Sequence, residues 1–279
     1  MNVYVSIDME GVAGLAHLQQ VTRGSIDYPM ARELMTGEAN AAIVGAFDAG
    51  ATSVLVNDSH GTMFNLLPER LDSRAELVVG SPKAWSMMQG LGAGFDVCLF
   101  VAYHARAGTE AAVLDHTYSG RLLLDVRVNG EPWTEADLNA ALAGTFGVPV
   151  GLVTGDDKCC AQAARIPGVR TVAVKQGYGR NAARSLHPSV ARGRIREAAE
   201  AAVRAADAGA LGPWLPPGPY ALEADVSTTG AADLCALAPG VTRTGPRTLR
   251  FDTADFPELY RCLLAFTYLG ASEAPRYPE

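Results

Sequence analysis

The chain has 279 residues, a formal net charge of −7 and a hydrophobic fraction of 48%, which excludes a disordered chain and allows one large domain or two smaller ones. Its 23 Lys and Arg residues are dispersed, without a basic run or interleaved aromatics, which argues against a nucleic-acid partner. The start MNVYVSIDMEG lacks the basic and apolar regions of a signal peptide and no apolar stretch is long enough to span a membrane, so a cytoplasmic protein is expected.

Val3 to Ile7 is the first predicted strand. Pro29 and the following MARELMTGEANAAIVGAFDAG predict a long helix, with proline near its first turn and Gly50 stopping it. Ser53 to Val56 is the second strand, and further strands are predicted at Glu76 to Val79, Val97 to Val101, Val148 to Thr154 and Thr171 to Val174. Lys83 to Leu91 is a predicted intervening helix. Residues 121–130, RLLLDVRVNG, alternate apolar and polar positions and end in Asn-Gly, the mark of a half-exposed antiparallel strand or hairpin. Thr134 and Asp137 form a capping-box pattern opening the helix EADLNAALAGTF.

Near residue 190 the texture changes to the Ala-rich helix RIREAAEAAVRAADAGA and then to the Pro/Gly-rich LGPWLPPGP. A strand from Tyr220 to Val226, a short helix, a strand pair around Val241 to Phe251 and a last helix from Pro257 complete the chain. The expected fold is α/β, a three-layer αβα domain with a mostly parallel sheet over residues 1–190. A smaller α+β unit is expected over 191–279, for packing and oligomerisation.

The five cysteines, Cys98, Cys159, Cys160, Cys235 and Cys262, follow no disulfide or zinc-ribbon spacing and read as buried thiols in a reducing compartment. His60 and His104 each lie a few residues past an apolar strand, in NDSHG and VAYHA, and Asp8 and Glu10 hold the same place after the first strand. Loops at the carboxyl ends of parallel strands converge on one crevice, so these four side chains are candidate ligands of a common metal site. Asp8 and Glu10 stand two residues apart, so in extended chain their carboxylates face one side, and two buried carboxylates so close call for a cation. Histidines mixed with carboxylates suit zinc or manganese better than calcium or magnesium. A bridging Asp8 would hold two ions about 3.5–4 Å apart around a shared water.

Each residue also has a plain structural reading. Asp8 and Glu10 can cap the next segment, His60 beside Gly61 can be a turn histidine, and His104 a core histidine. Recurrence at successive strand ends is what favours the metal site. No GxGxxG follows a strand, and no P-loop, HExxH or G-x-S-x-G is present, which argues against nucleotide binding, zincin chemistry and serine hydrolysis.

The segment SIDMEG at Ser6 to Gly11 resembles the signature of the D-aminopeptidase family of metallopeptidases, first described as dipeptide transport proteins. The resemblance continues through NDSHG, YHA, LDHTYS around His116, TEADLNA and the stretch from Lys175 to Pro188. It implies a dinuclear zinc site, with manganese or cobalt as possible replacements, in which Asp8 bridges and Glu10, His60, His104 and Glu135 complete the ligands. Glu131 is the alternative to Glu135. The resemblance also implies a catalytic His116, for which a packing histidine held by Asp115 is the structural alternative. The implied reaction is removal of an N-terminal, D-configured residue from short peptides, by a ring-like homo-oligomer such as a decamer. Lys175 and Arg180 are candidates for positive charge near the site or within the surrounding fold, and Asp156 for orienting a ligating histidine. His17 and His187 are expected to be structural. The rival functions are a dinuclear hydrolase of another bond, amide or phosphoester, and a peptide- or metal-binding protein without catalysis.

Overall fold

The computed structural model describes residues 1–273 of the chain. β1 (Asn2–Ile7) leads through the loop bearing Asp8 and Glu10 to a single helical turn, α1 (Leu18–Val21), and then to α2 (Tyr28–Asp48). Pro29 lies in the first turn of α2, and Gly50 just beyond its end takes φ +92°, a conformation open to glycine at little steric cost. β2 (Ser53–Asp58), β3 (Glu76–Val78) and β4 (Val97–Tyr103) follow. β5 (Leu123–Val128) turns at Asn129 and Gly130, both at positive φ, into β6 (Glu131–Pro132), the two-residue hairpin that Asn-Gly predicts. α3 (Glu135–Thr145), β7 (Val150–Asp156), α4 (Asp157–Ala163), β8 (Arg170–Gly179), β9 (Ala182–Ser185) and α5 (Pro188–Asp207) come next. The chain then forms β10 (Tyr220–Val226), α6 (Thr229–Cys235), β11 (Val241–Arg243), β12 (Thr248–Thr253) and α7 (Phe256–Leu269).

Seven strands form one sheet in the order β3-β2-β1-β4-β7-β8-β9. All its pairings are parallel except β8 with the terminal β9. Strand order reverses between β1 and β4, because the chain builds outward through β2 and β3 on one side and returns to continue on the other. Such a switch point opens a crevice at the carboxyl ends of the two central strands.

Alternation along β1 divides two apolar cores. Val3, Val5 and Ile7 join the core formed with α2 and α5, whereas Tyr4 enters the core that includes α3 and α7. α2 and α5 approach closely at Gly45, where a Cβ would lie 2.2 Å from the Arg196 carbonyl oxygen. That contact leaves no room for any larger residue.

The second sheet is antiparallel, β11-β12-β10-β5-β6. Its two parts come from either side of residue 190, since β5 and β6 pair beside β10. α5, which opens the expected C-terminal unit, packs on α2 and β7 of the first sheet. The two sheets are therefore not separated at residue 190, and residues 274–279 of that unit lie outside the described residues. The helix expected over Lys83 to Leu91 is instead a single 3-10 turn, Ser86–Met88. Its carbonyls are claimed by side chains from strand ends: Ser6 Oγ donates to Met87 O at 2.8 Å and Asn57 Nδ2 to Ser86 O at 3.1 Å. With those acceptors occupied and Ser86 at φ +45°, a continuous helical ladder does not form.

Candidate metal and catalytic site

Asp8 and Glu10 follow β1, His60 follows β2, and His104 follows β4, so three neighbouring strands deliver four side chains to one crevice. The Asp8-to-Gly11 loop is tied to β4 by hydrogen bonds from Asp8 N to Val101 O (3.0 Å) and from Gly11 N to Ala102 O (2.9 Å). Gly11 lies so close to β4 that a Cβ there would sit 2.2 Å from Tyr103 O. The glycine of the SIDMEG segment is thus needed for close approach rather than for its φ. Ala102, at φ +58°, sits where the register between β4 and β7 shifts, and this irregularity turns the chain into His104.

Glu135 arrives from the other side of the crevice. Thr134 Oγ1 accepts from Asp137 N at 2.9 Å, and Asp137 accepts from Thr134 N at 2.7 Å, so the expected capping box forms. It fixes the first turn of α3 and buries Glu135, whose Oε1 accepts from Tyr118 N at 2.6 Å. Glu131, the alternative, is exposed on β6.

Asp8 lies at the centre of the cluster. Its Oδ1 is 3.2 Å from His60 Nδ1 and its Oδ2 is 3.3 Å from His104 Nε2. Glu10 Oε2 is 2.8 Å from the same His60 nitrogen, and Glu135 Oε2 is 3.4 Å from the same His104 nitrogen. His116 completes the group, with Nε2 at 3.9 Å from Glu135 Oε1 and its ring stacked on that of His104.

Backbone carbonyls orient all three imidazoles. His60 Nε2 is 2.8 Å from Val21 O, His104 Nδ1 is 3.0 Å from Ala105 O, and His116 Nδ1 is 2.8 Å from Leu114 O. A carbonyl only accepts, so each of these nitrogens carries the proton and the opposite nitrogen presents a lone pair to the carboxylates. His104 Nε2 is buried and has no hydrogen-bond partner. A lone pair facing two carboxylates is repulsive unless a proton or a metal ion stands between them, and the donor set of imidazoles and carboxylates fits zinc.

The electrostatics of the ion-free cluster point the same way. Burial alone would lower the pKa of His60, yet the charge of Glu10 and contact with Asp8 hold it well above its ordinary value. His104 is likewise raised against burial, by Glu135 and Asp8. Burial would raise Glu10 and Glu135, but the neighbouring histidines hold both below the usual carboxylate range. Asp8 is pushed up, by burial first and then by Glu10. The site attracts protons strongly when nothing else neutralises it, as a place built for cations does.

Contacts show how the remaining candidates are held. Lys175 is buried beneath the loop, where Nζ donates to the carbonyls of Glu10, Val12 and Leu15 at 2.5, 2.9 and 2.6 Å. Arg180 reaches Asp115 rather than a metal ligand. Asp156 touches no histidine; it caps α4 through Cys159 N and accepts from Val113 N, both at 2.7 Å. His17 and His187 are helix caps. Sequence reasoning missed Tyr118 and the α7 residues Leu264, Thr267 and Tyr268, which line the cavity over the cluster together with Met63 and Met87. It also missed Glu38 of α2, which accepts from Ala13 N at 2.8 Å on the far side of the same loop. A single sequence carries no signal for the α7 residues, whose place depends on how the last helix packs.

An α/β sheet with buried carboxylates and histidines converging at its switch point defines a site suited to divalent metal ions. The chain belongs to the D-aminopeptidase family, peptidase family M55, whose model matches residues 1–265. It is 39% identical over 275 residues to a D-aminopeptidase of Bacillus subtilis (strain 168), covering 97% of this chain and 98% of the relative. It is also similar to a solved structure described as the Zn-dependent D-aminopeptidase DppA from Bacillus subtilis, a self-compartmentalizing protease. That likeness has a TM-score of 0.89 and 38% identity, and it covers 97% of this chain and 98% of the other.

Proposed function

We propose that this protein is a zinc-dependent aminopeptidase that removes an N-terminal, D-configured residue from short peptides. Its ligands are Asp8, Glu10, His60, His104 and Glu135, arranged for two ions, with His116 as the catalytic side chain. One observation carries the two-ion reading: the two oxygens of Asp8 face different histidines, His60 at 3.2 Å and His104 at 3.3 Å. Glu10 shares the first position and Glu135 the second.

Zinc bound there supplies the positive charge that polarises the scissile carbonyl and makes an attacking water acidic at neutral pH. His116 holds its Nδ1 proton on Leu114 O, so Nε2 takes up a proton and returns it to the leaving amine. Tyr118 N fixes Glu135, and Met63, Met87 and Leu264 exclude water from the side of the cavity that receives the N-terminal residue. The D preference rests on membership of the family and on the relatives' names.

The relative's self-compartmentalizing assembly supports a homo-oligomer, for which a decamer is our reading. The exposed apolar side chains Ile26 and Met30 suit such contacts. Our reading of its setting, a reducing cytoplasm, is supported by five buried free thiols, and no helix among the described residues is long and apolar enough to cross a membrane.

The deciding experiment measures zinc by mass spectrometry, together with hydrolysis of D- and L-alanyl dipeptides, for wild type and Asp8→Ala. Two ions per chain and D-selective turnover, both lost in Asp8→Ala, are expected. Wild-type protein that stays metal-free after incubation with zinc would overturn the reading.

A further inference from the structure

A second cavity adjoins the one over the metal cluster. Glu10 and His116 line both. Beyond them the second cavity is walled by Leu18 and Leu114 and reaches Ser119, Gly120, Arg121 and Arg180. His116 therefore stands at the junction of two spaces, one toward α7 and one toward two arginines.

Arg180 is braced rather than loose. Its Nη1 donates to both the backbone oxygen and the side chain of Asp115, and Asp115 Oδ2 in turn accepts from Gly108 N at 2.8 Å. The Arg180 carbonyl accepts from Leu114 N at 2.9 Å, which ties it to the segment that carries His116. The braced edge of the guanidinium is Nη1. Its Nη2 lies by Gly120, where an added methyl would stand 3.7 Å from Nη2 and 3.7 Å from His116 Cγ. The same position lies 3.2 Å from His116 Cβ, so the guanidinium and the root of the imidazole both border the space at Gly120.

We propose that this second cavity is a subsite for the free C-terminal carboxylate of a dipeptide, read by Arg180 with Arg121 beside it. The inference rests on the aminopeptidase reading above. The leaving nitrogen must come to His116 Nε2 to receive its proton. Within one residue, roughly 2.5 Å separates the amide nitrogen from the carboxyl carbon, so a carboxylate that leaves His116 on the side away from Glu135 enters the cavity that Arg180 and Arg121 line. A guanidinium fork suits a carboxylate, and one already held on its far edge loses little freedom on binding. Leu18 and Leu114 give the side chain of the leaving residue an apolar wall. In a longer peptide an uncharged amide stands at this position, and the arginine gains nothing from it.

The test compares a D-alanyl dipeptide with the same dipeptide amidated at its C-terminus, using zinc-loaded wild type, Arg180→Ala and Arg180→Lys. Wild type is expected to prefer the free acid. Arg180→Ala should reduce the acid-to-amide ratio of kcat/KM by about 10- to 100-fold, the worth of a charge-assisted pair, with the loss in KM for the acid rather than in kcat. Arg180→Lys, which keeps the charge and loses the fork, should fall between. Equal losses on acid and amide would show that Arg180 only braces the His116 segment and would overturn the proposal. Wild-type turnover of both substrates without preference would overturn it while leaving the aminopeptidase reading intact. Turnover of neither would overturn both.

Discussion

The rings of His104 and His116 stack face to face, with centroids 3.9 Å apart and planes 12° from parallel. Both rings direct Nε2 toward Glu135. The stack divides the labour: His104 is buried and has an orphaned Nε2, whereas His116 lies at the junction of two cavities and is partly open.

On the proposed two-ion reading, His116→Ala should keep the zinc content of wild type and lose about 10²- to 10⁴-fold in kcat, the usual worth of a positioned acid–base group. Metal analysis and steady-state kinetics on the same preparation check it. Because His116 also lies within ligand distance of His104 and Glu135, loss of one zinc from this variant would make it a ligand instead.

Replacing Glu135 by Gln keeps the size of the side chain and removes its charge. Glu135 and His104 share one position, while Glu10 and His60 share the other. Zinc content should fall from two ions toward one, since an ionised oxygen is the stronger ligand. Retention of two tightly held ions by Glu135→Gln would remove this glutamate from the ligand set.

Gly11→Ala should destabilise the fold more than its size suggests. The new Cβ would meet backbone, at 2.2 Å from Tyr103 O and 2.3 Å from the Ala102 carbonyl carbon, and no flexible side chain is there to yield. A loss of about 1–3 kcal/mol is expected from overpacking. Gly92 has open space around its Cβ position and no positive φ, so Gly92→Ala is the control. Comparable melting temperatures for the two variants would contradict the close-approach argument.

Glu38 gives a pH signature. Burial, opposed by the Ala13 N–H, Lys175 and Arg192, raises its carboxyl from 4.5 to about 7. Between those two values the folded chain holds a proton that the unfolded chain has released, so stability falls as pH rises through this window. The effect is at most about 3 kcal/mol. Lys175, lowered by burial only to about 8, stays charged throughout the window. Urea unfolding of chelator-treated wild type and Glu38→Gln at pH 5 and pH 7 tests this. Wild type should lose more stability across the interval, and parallel behaviour would exclude Glu38 as the source.

Much of the site was legible in the linear chain because its ligands follow strands. A strand is a short apolar run, and a polar residue just past its end must emerge at the sheet edge, which is how Asp8, Glu10, His60 and His104 could be grouped. Glu135 was reached only through the family resemblance, as part of the TEADLNA segment; the capping box beside it marks a helix start and says nothing of a ligand. Lys83 to Leu91 misled because its residues tolerate a helix, while Ser6 and Asn57, far away in sequence, claim the carbonyls that a helix would need.

Local patterning alone determined the mostly parallel sheet, the long helix closed by Gly50, the Asn-Gly hairpin and Asp8, Glu10, His60 and His104 as candidate ligands, since each follows from periodicity or turn chemistry within a few residues. Glu135 and His116 came instead from the family resemblance. Tertiary structure decided what depends on contacts across long separations. It set β5 and β6 beside β10 across residue 190, and turned the two oxygens of Asp8 toward different histidines. It also placed Lys175 under the loop of Glu10 and brought Arg180 and His116 to the walls of one cavity. Such contacts arise only when distant segments are packed together, and no spacing along the chain encodes the angle or distance at which they meet.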